Sequence, residues 1–173
     1  MTLSPWAQTR LLTPSAQYPT RGSAGAAGLD ICADLLDATG AARMLRVGRT
    51  SLSLTGTDAE GRPFFRLRPG CRVLIPTGIA MVTSTDLYSR VAPRSGLALL
   101  DGIAILGGVV DCDYTGEIGV ICLNTDPVMS FDITHGMRIA QVVFEQTWLG
   151  TPEQVQTLRE TDRGAGGFGS TGR

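Results

Sequence analysis

At 173 residues the chain has room for one domain with a proper core, and 15 basic against 16 acidic side chains leave a formal charge of −1. That balance gives no electrostatic pull toward nucleic acid or an anionic membrane surface, and no apolar run approaches a membrane span. All 15 basic residues are arginine, which excludes a Walker A lysine, a Schiff base and a lysine general base, so any phosphate must be held by guanidinium forks and backbone amides.

The opening "MTLSPWAQTRLL" lacks the apolar stretch of a signal peptide, and the protein is expected to be intracellular. "SAGAAGLDICA" is an Ala/Gly-rich stretch entering a strand, with Asp30 inside it. Residues 36–68 differ in composition: Ser, Thr, Gly, Arg and Asp dominate, and "TDAEGRP" signals a turn. A surface loop or extra hairpin is expected there rather than a second domain. "SLSL" alternates at strand period, whereas Arg43, Arg46 and Arg49 at three-residue spacing equally suit one helical turn with a basic face.

Beyond residue 70, short Val/Ile-rich runs recur between Gly, Pro, Asp and Thr: "CRVLIPTGIAMV", "LYSRVAP", "GIAILGGVVD", "EIGVICLN" and "RIAQVVFEQTW". Such spacing predicts an all-β sandwich or barrel. "SGLALLDG" is expected as one short helix and "TPEQVQTL" as a weaker one. The four cysteines show no C-x-x-C spacing and read as ordinary thiols, and the single histidine, His135, excludes a His-pair metal site. His135 itself is expected as a surface turn residue.

Four stretches place chemistry where a plain β core does not need it. "APRSGLAL" puts Arg94 and Ser95 at a turn after a strand, equally an oxyanion cradle or a solvated turn. "GGVVDCDYTGEIGV" reads as a β-hairpin around "DYTG". Its Asp111 and Asp113 lie on one face if the strand continues, as a metal pair, a base or simple turn formers; Tyr114 offers a flat ring or simply packs. "HGMRIAQVVF" carries Arg138 and Gln141 into a strand, and "DRGAGGFGSTGR" sets one phenylalanine among glycines. "GAGGFG" matches a dinucleotide fingerprint only in letters, without the strand before it and helix after it.

Taken in order, "AAGLD", "PRSGLA", "GGVVDCDYTGE", "RIAQ" and "RGAGGFGSTG" resemble the five motifs of the homotrimeric dUTP pyrophosphatases (dUTPases), most of all eukaryotic and large-DNA-virus members. The resemblance implies one domain over residues 1–173, a distorted jelly-roll-like β-barrel, with its C-terminal arm (residues 162–173) exchanged between subunits as a lid. It implies hydrolysis of dUTP to dUMP and pyrophosphate with Mg²⁺, which limits uracil in DNA. On this resemblance Asp111 is the general base. Gly108, Val109, Val110 and Gly119 hold uracil by backbone groups, and Tyr114 packs on the deoxyribose. Arg94, Ser95, Gly96 and Gln141 contact phosphates or position the water, and Asp30 reaches Mg²⁺ through water. Arg163, Phe168, Gly169, Ser170 and Thr171 belong to the lid.

The chain departs from the family pattern in three places: the lengthened 36–68 segment, Met137 where the fourth motif often has an acid, and Ile105 where some members have an asparagine. Because the 36–68 segment holds none of the motifs, it is expected to be a surface excursion open to a protein partner, replaceable over residues 37–62 without loss of assembly or hydrolysis. Two other functions share these residues: a related nucleotide enzyme such as a dCTP deaminase, and a nucleotide-binding regulatory protein.

Overall fold

The computed structural model describes residues 6–167. Fourteen strands and one short helix follow in chain order: β1 (Ala7–Leu11), β2 (Thr20–Arg21), β3 (Leu29–Cys32), β4 (Leu45–Val47), β5 (Thr50–Leu52), β6 (Gly56–Thr57), β7 (Pro63–Leu67), β8 (Arg72–Thr83), β9 (Leu87–Ala92), α1 (Ser95–Leu100), β10 (Ile103–Leu106), β11 (Val109–Val110), β12 (Glu117–Asn124), β13 (Phe131–Thr134) and β14 (Arg138–Gln146). All strand pairs are antiparallel, as expected of an all-β chain. One sheet runs β10-β12-β8-β4-β5 with β1 also on β8; a second runs β11-β9-β14-β3-β2; a third, smaller one runs β13-β7-β6. Among the described residues no helix is long and apolar enough to cross a membrane.

The inward faces of these sheets build one core of branched aliphatic side chains, including Ile31, Val73, Ile75, Val91, Ile118, Val120, Ile139 and Val142. β12 shows the cause at residue level. Alternate positions Ile118, Val120, Cys122 and Asn124 are buried while Glu117, Gly119, Ile121 and Leu123 face outward, the period of two that a pleated strand imposes. Burial pushes the Cys122 thiol up to about 12, so it is an inert apolar filler. The fully buried Asn124 is tolerated because its amide donates to the carbonyls of Leu67 (3.1 Å) and Met129 (2.8 Å) and its oxygen accepts from Asp126 N–H (2.9 Å).

The structure corrects three expectations. Residues 151–158 form no helix; with most of their side chains exposed, they have no apolar face packed on the domain to stabilise one. His135 is no solvated turn residue: its ring is half-buried, and Nδ1 accepts the Leu35 N–H at 3.1 Å. The 36–68 segment is also more than a surface excursion. β4 and β5 pair as the extra hairpin expected here, in place of the alternative helical turn, but β4 also docks on β8 through Arg46 opposite Leu74. Leu45 enters the core from β4, and Phe65 and Leu67 enter it from β7, an inward-facing strand paired with β13.

Candidate active site

Two cavities gather the residues singled out in the sequence, and each owes its place to strand register. The first, of about 580 Å³, lies where β11 and β12 part. These strands were expected to form the two paired arms of a hairpin, but β11 pairs with β9 in one sheet while β12 pairs with β8 and β10 in the other. The consecutive glycines Gly107 (φ +71°) and Gly108 (φ +102°) make the crossing, a backbone path that side chains resist. A Cβ at Gly108 would sit 2.6 Å from the Val91 carbonyl, whose own N–H donates to the Gly108 carbonyl at 2.8 Å.

The parted strands leave a slot edged by backbone. β11 is an edge strand of its sheet, and β10 reaches only Ile121–Asn124 of β12, so the Glu117–Val120 stretch faces the slot without a strand partner on that side. Gly108, Val109, Val110, Asp111, Tyr114 and Gly119 all line it. A Cβ at Gly119 would come within 2.6 Å of Leu74 Cδ1, so glycine keeps this wall flat. Tyr114 folds back over Gly116 and donates its hydroxyl to the Glu117 carbonyl at 3.1 Å. Asp111 is exposed just past the end of β11, and among the described residues no donor holds its carboxylate. Asp113 does not line this cavity, and Ile105 packs against the core instead.

The second cavity, of about 450 Å³, is lined by Gly28, Asp30, Arg94, Ser95, Gly96 and Gln141 among others. Gln141 on β14 lies opposite Asp30 on β3 and opposite Ala92 at the end of β9, so the central strand brings three distant stretches together. Arg94 Nε donates to Asp30 Oδ1 (3.1 Å), Arg138 Nη1 donates to Asp30 Oδ2 (3.0 Å), and Arg94 Nη1 donates to the Arg138 carbonyl (3.1 Å). Two guanidiniums on one carboxylate leave one positive charge on this group, although Arg138 stands outside the cavity lining and a second carboxylate, Asp101, lies within it. Gln141 Nε2 donates to the Pro93 carbonyl at 2.9 Å. Beside this group, burial first and the Asp30 charge second hold the Cys32 thiol above its ordinary range, outweighing the two arginines. It is no nucleophile at neutral pH.

The two cavities share no lining residue. Arg163 lines neither: it is exposed, its Nε donating to the Gly166 carbonyl at 2.8 Å. Phe168, Gly169, Ser170 and Thr171 lie outside the described residues.

The dUTPase family model matches residues 58–172, about two thirds of the chain. The chain belongs to the dUTPase family. A deoxyuridine 5'-triphosphate nucleotidohydrolase of cowpox virus is 46% identical over 124 residues, covering 72% of this chain and 83% of its own. The same enzyme of Roseobacter denitrificans is 48% identical over 108 residues, 61% of this chain and 70% of its own. In fold, the Staphylococcus bacteriophage 80alpha dUTPase solved with dUPNHPP superimposes at a TM-score of 0.75, covering 98% of this chain and 100% of that one at 22% identity. The "AAGLD" stretch carrying Asp30 lies before the matched span, and it is strand register that sets it beside the second and fourth dUTPase motifs.

Sequence reasoning missed Arg43, Glu117 and Gly78, which form a group beside the first cavity. Arg43 forks onto Glu117 (Nη1–Oε1 2.9 Å, Nη2–Oε2 2.5 Å), and Gly78 N–H donates to Glu117 Oε1 at 2.7 Å. Glu117 stood in the quoted "DYTGE" and was legible as a charged strand start. Arg43 carried no such signal, because its partner is 74 residues away.

Proposed function

We propose that this dUTPase works as a homotrimer that hydrolyses dUTP to dUMP and pyrophosphate, each site joining the nucleoside cavity of one chain to the phosphate cavity of a neighbour. The observation that carries this reading is the separation of the motifs. The third motif lines one cavity and the first, second and fourth line another, with no shared residue. Neither half suffices, and a second copy of the chain supplies the missing one.

In the nucleoside cavity, uracil sits in the slot between β11 and β12, where edge N–H and C=O groups match its O4 and N3–H. Cytosine reverses that pattern and leaves groups unpaired at about 1–3 kcal/mol each. The flat wall at Gly108 and Gly119 excludes the thymine methyl, and the Tyr114 ring lies against C2′ of the sugar. Asp111, with no competing donor among the described residues, takes a proton from the water that attacks the α-phosphorus. In the phosphate cavity, Arg94 and the Ser95 hydroxyl bind the triphosphate oxygens, Gly96 keeps the approach open, and Gln141 orients the water. The 162–173 arm with Arg163, Phe168, Gly169, Ser170 and Thr171 closes over the site and excludes bulk water. Exposed Trp148, Leu149 and Leu158, in the stretch that leads from β14 to the arm, give that stretch apolar anchors for a neighbouring chain.

The donor set fits Mg²⁺ carried in on the substrate. Both Asp30 oxygens already face arginines, so Asp30 would hold the ion through water, and the triphosphate would supply the direct oxygens that Mg²⁺ prefers. The ion would neutralise phosphate charge during the reaction. We place the protein inside the cell, where its substrate is made, and regard the part of residues 36–68 that precedes the matched span as an addition to the family's single domain, its exposed face open to a protein partner.

Pyrophosphate release from dUTP, dTTP, dCTP and UTP, each with and without Mg²⁺, tests the reading. Only dUTP with Mg²⁺ should turn over rapidly. Asp111→Asn should lower kcat about 10²–10⁴-fold while leaving dUTP binding largely intact. Turnover of that variant within a few-fold of the parent would remove Asp111 from the role of base.

A further inference from the structure

The added segment touches the nucleoside cavity directly. Arg43, Met44 and Arg46 form part of its wall, together with Gly107 and Gly108. Of these, Arg43 has a fixed geometry. Its fork holds both oxygens of Glu117, and the same Glu117 Oε1 accepts the Gly78 N–H at 2.7 Å. Behind the guanidinium lies Asp34, 2% exposed, with Arg43 Nη1 at 3.6 Å from Oδ2 and with Thr13 and Ser15 donating to its two oxygens. Arg43 therefore bridges two half-buried or buried carboxylates, and a planar fork that cannot lose its proton suits this better than any other side chain.

Glu117 is where this network meets the site. Gly78, at φ +67°, sits in the stretch of β8 where the pairing with β12 shifts register, and the shift turns its N–H toward the Glu117 carboxylate. A Cβ at Gly78 would lie 2.3 Å from Asp34 Oδ2, so the two strands and Asp34 close up around a missing side chain. The Glu117 side chain is thus clamped from two sides, and its backbone carbonyl is the acceptor for the Tyr114 hydroxyl.

We propose that Arg43 is a positioning residue for nucleoside selection: by fixing Glu117 it fixes the acceptor of the Tyr114 hydroxyl, and so holds the tyrosine ring where it excludes a 2′-hydroxyl. This rests on the reading above that Tyr114 faces the sugar. It makes ribose discrimination depend on a residue of the 36–68 segment. Without the fork, the Glu117 carboxylate keeps one amide donor and turns toward water; the start of β12, where its pairing with β8 shifts register, loses a side-chain anchor, and the backbone carbonyl that the Tyr114 hydroxyl reaches shifts with it.

The test is the ratio of kcat/KM for dUTP to that for UTP, measured with thermal midpoints for R43Q, R43K, E117Q, Y114F and the double variant R43Q/Y114F. R43Q and Y114F should each lower the ratio about tenfold, through KM for dUTP more than through kcat, because a displaced ring misplaces the substrate. R43K should recover part of the loss by keeping the charge without the fork. The double variant should be no worse than the worse single one, since both act through one contact. An unchanged ratio in Y114F, or equal losses for both nucleotides in R43Q, would make Arg43 merely structural and overturn the proposal. Should R43Q fail to assemble, E117Q, which keeps an oxygen for the Gly78 N–H, gives the same reading. Failure of the parent enzyme on dUTP, or full activity of D111N, would instead strike at the assignment of the site.

Discussion

Gly28 marks how tightly the phosphate cavity is drawn. A Cβ there would stand 2.2 Å from Gln141 Oε1 and 3.0 Å from Gln141 Cβ, so even alanine forces the glutamine aside. Moving it breaks the 2.9 Å bond to the Pro93 carbonyl that aims its amide. Gly28→Ala should therefore cut kcat/KM for dUTP about 10²-fold, the scale of a small misplacement in a site, with little change in unfolding midpoint. Steady-state kinetics beside a thermal melt checks this; a fall in stability with kinetics preserved would show that Gly28 serves packing alone. At this scale the sequence was legible wherever a residue's role is local. Asp111, Tyr114 and Arg94 were singled out with turn-forming or packing alternatives open; only the resemblance gave them roles, and the structure places each in a cavity wall. Arg138 was noticed but given no partner, and Arg43 was set aside, because an ion pair across 74 or 108 residues leaves no mark in either neighbourhood.

Among the elements, strands were legible by their Val/Ile runs, and the short helix after "APR" by its composition, but pairing was not. "GGVVDCDYTGEIGV" has the alternation of a hairpin, and only the two positive-φ glycines decide that its arms belong to different sheets. The 36–68 segment failed for a related reason. Its polar composition hides Leu45, which is 1% exposed, and β7, whose Phe65 and Leu67 face inward. Leu45→Ala should cost about 2–5 kcal/mol in denaturant unfolding, as buried leucines do. Replacing residues 37–62 by a short Gly-Ser link removes Leu45, the Arg43 fork and the β4–β8 contact together, so the shortened protein should lose stability and nucleotide selectivity alike. A link variant as stable and selective as the parent would restore the view of the segment as a detachable excursion. Loop-closure entropy alone would not oppose such a cut, since it changes by only about 0.6 kcal/mol per doubling of length. Side-chain burial is what opposes it.

For the whole molecule, the two cavities set the terms. Their charged groups differ as well: the phosphate cavity is lined by Arg94, Asp30 and Asp101, with Arg138 holding Asp30 from outside the lining, while the nucleoside cavity presents Asp111 unpaired among the described residues and a neutralised Arg43–Glu117 pair. On the proposed reading the phosphates meet Arg94 and Ser95 in the first and the base meets the backbone slot of the second, so one nucleotide would span two chains. Subunit mixing tests that arrangement. A chain with Asp111→Asn keeps its phosphate cavity, and a chain with Arg94→Ala keeps its nucleoside cavity; each homotrimer should be nearly inactive. In randomly exchanged trimers about a quarter of the sites combine the two intact halves, so mixing should recover about a quarter of parental kcat. Light scattering establishes the trimer, and exchange between tagged copies establishes mixing. If exchanged trimers stay inactive, or a monomer turns over dUTP, then both cavities serve the same chain's substrate. The division of the motifs between them would then be bridged by motion within one subunit, and the 162–173 arm would close over its own chain.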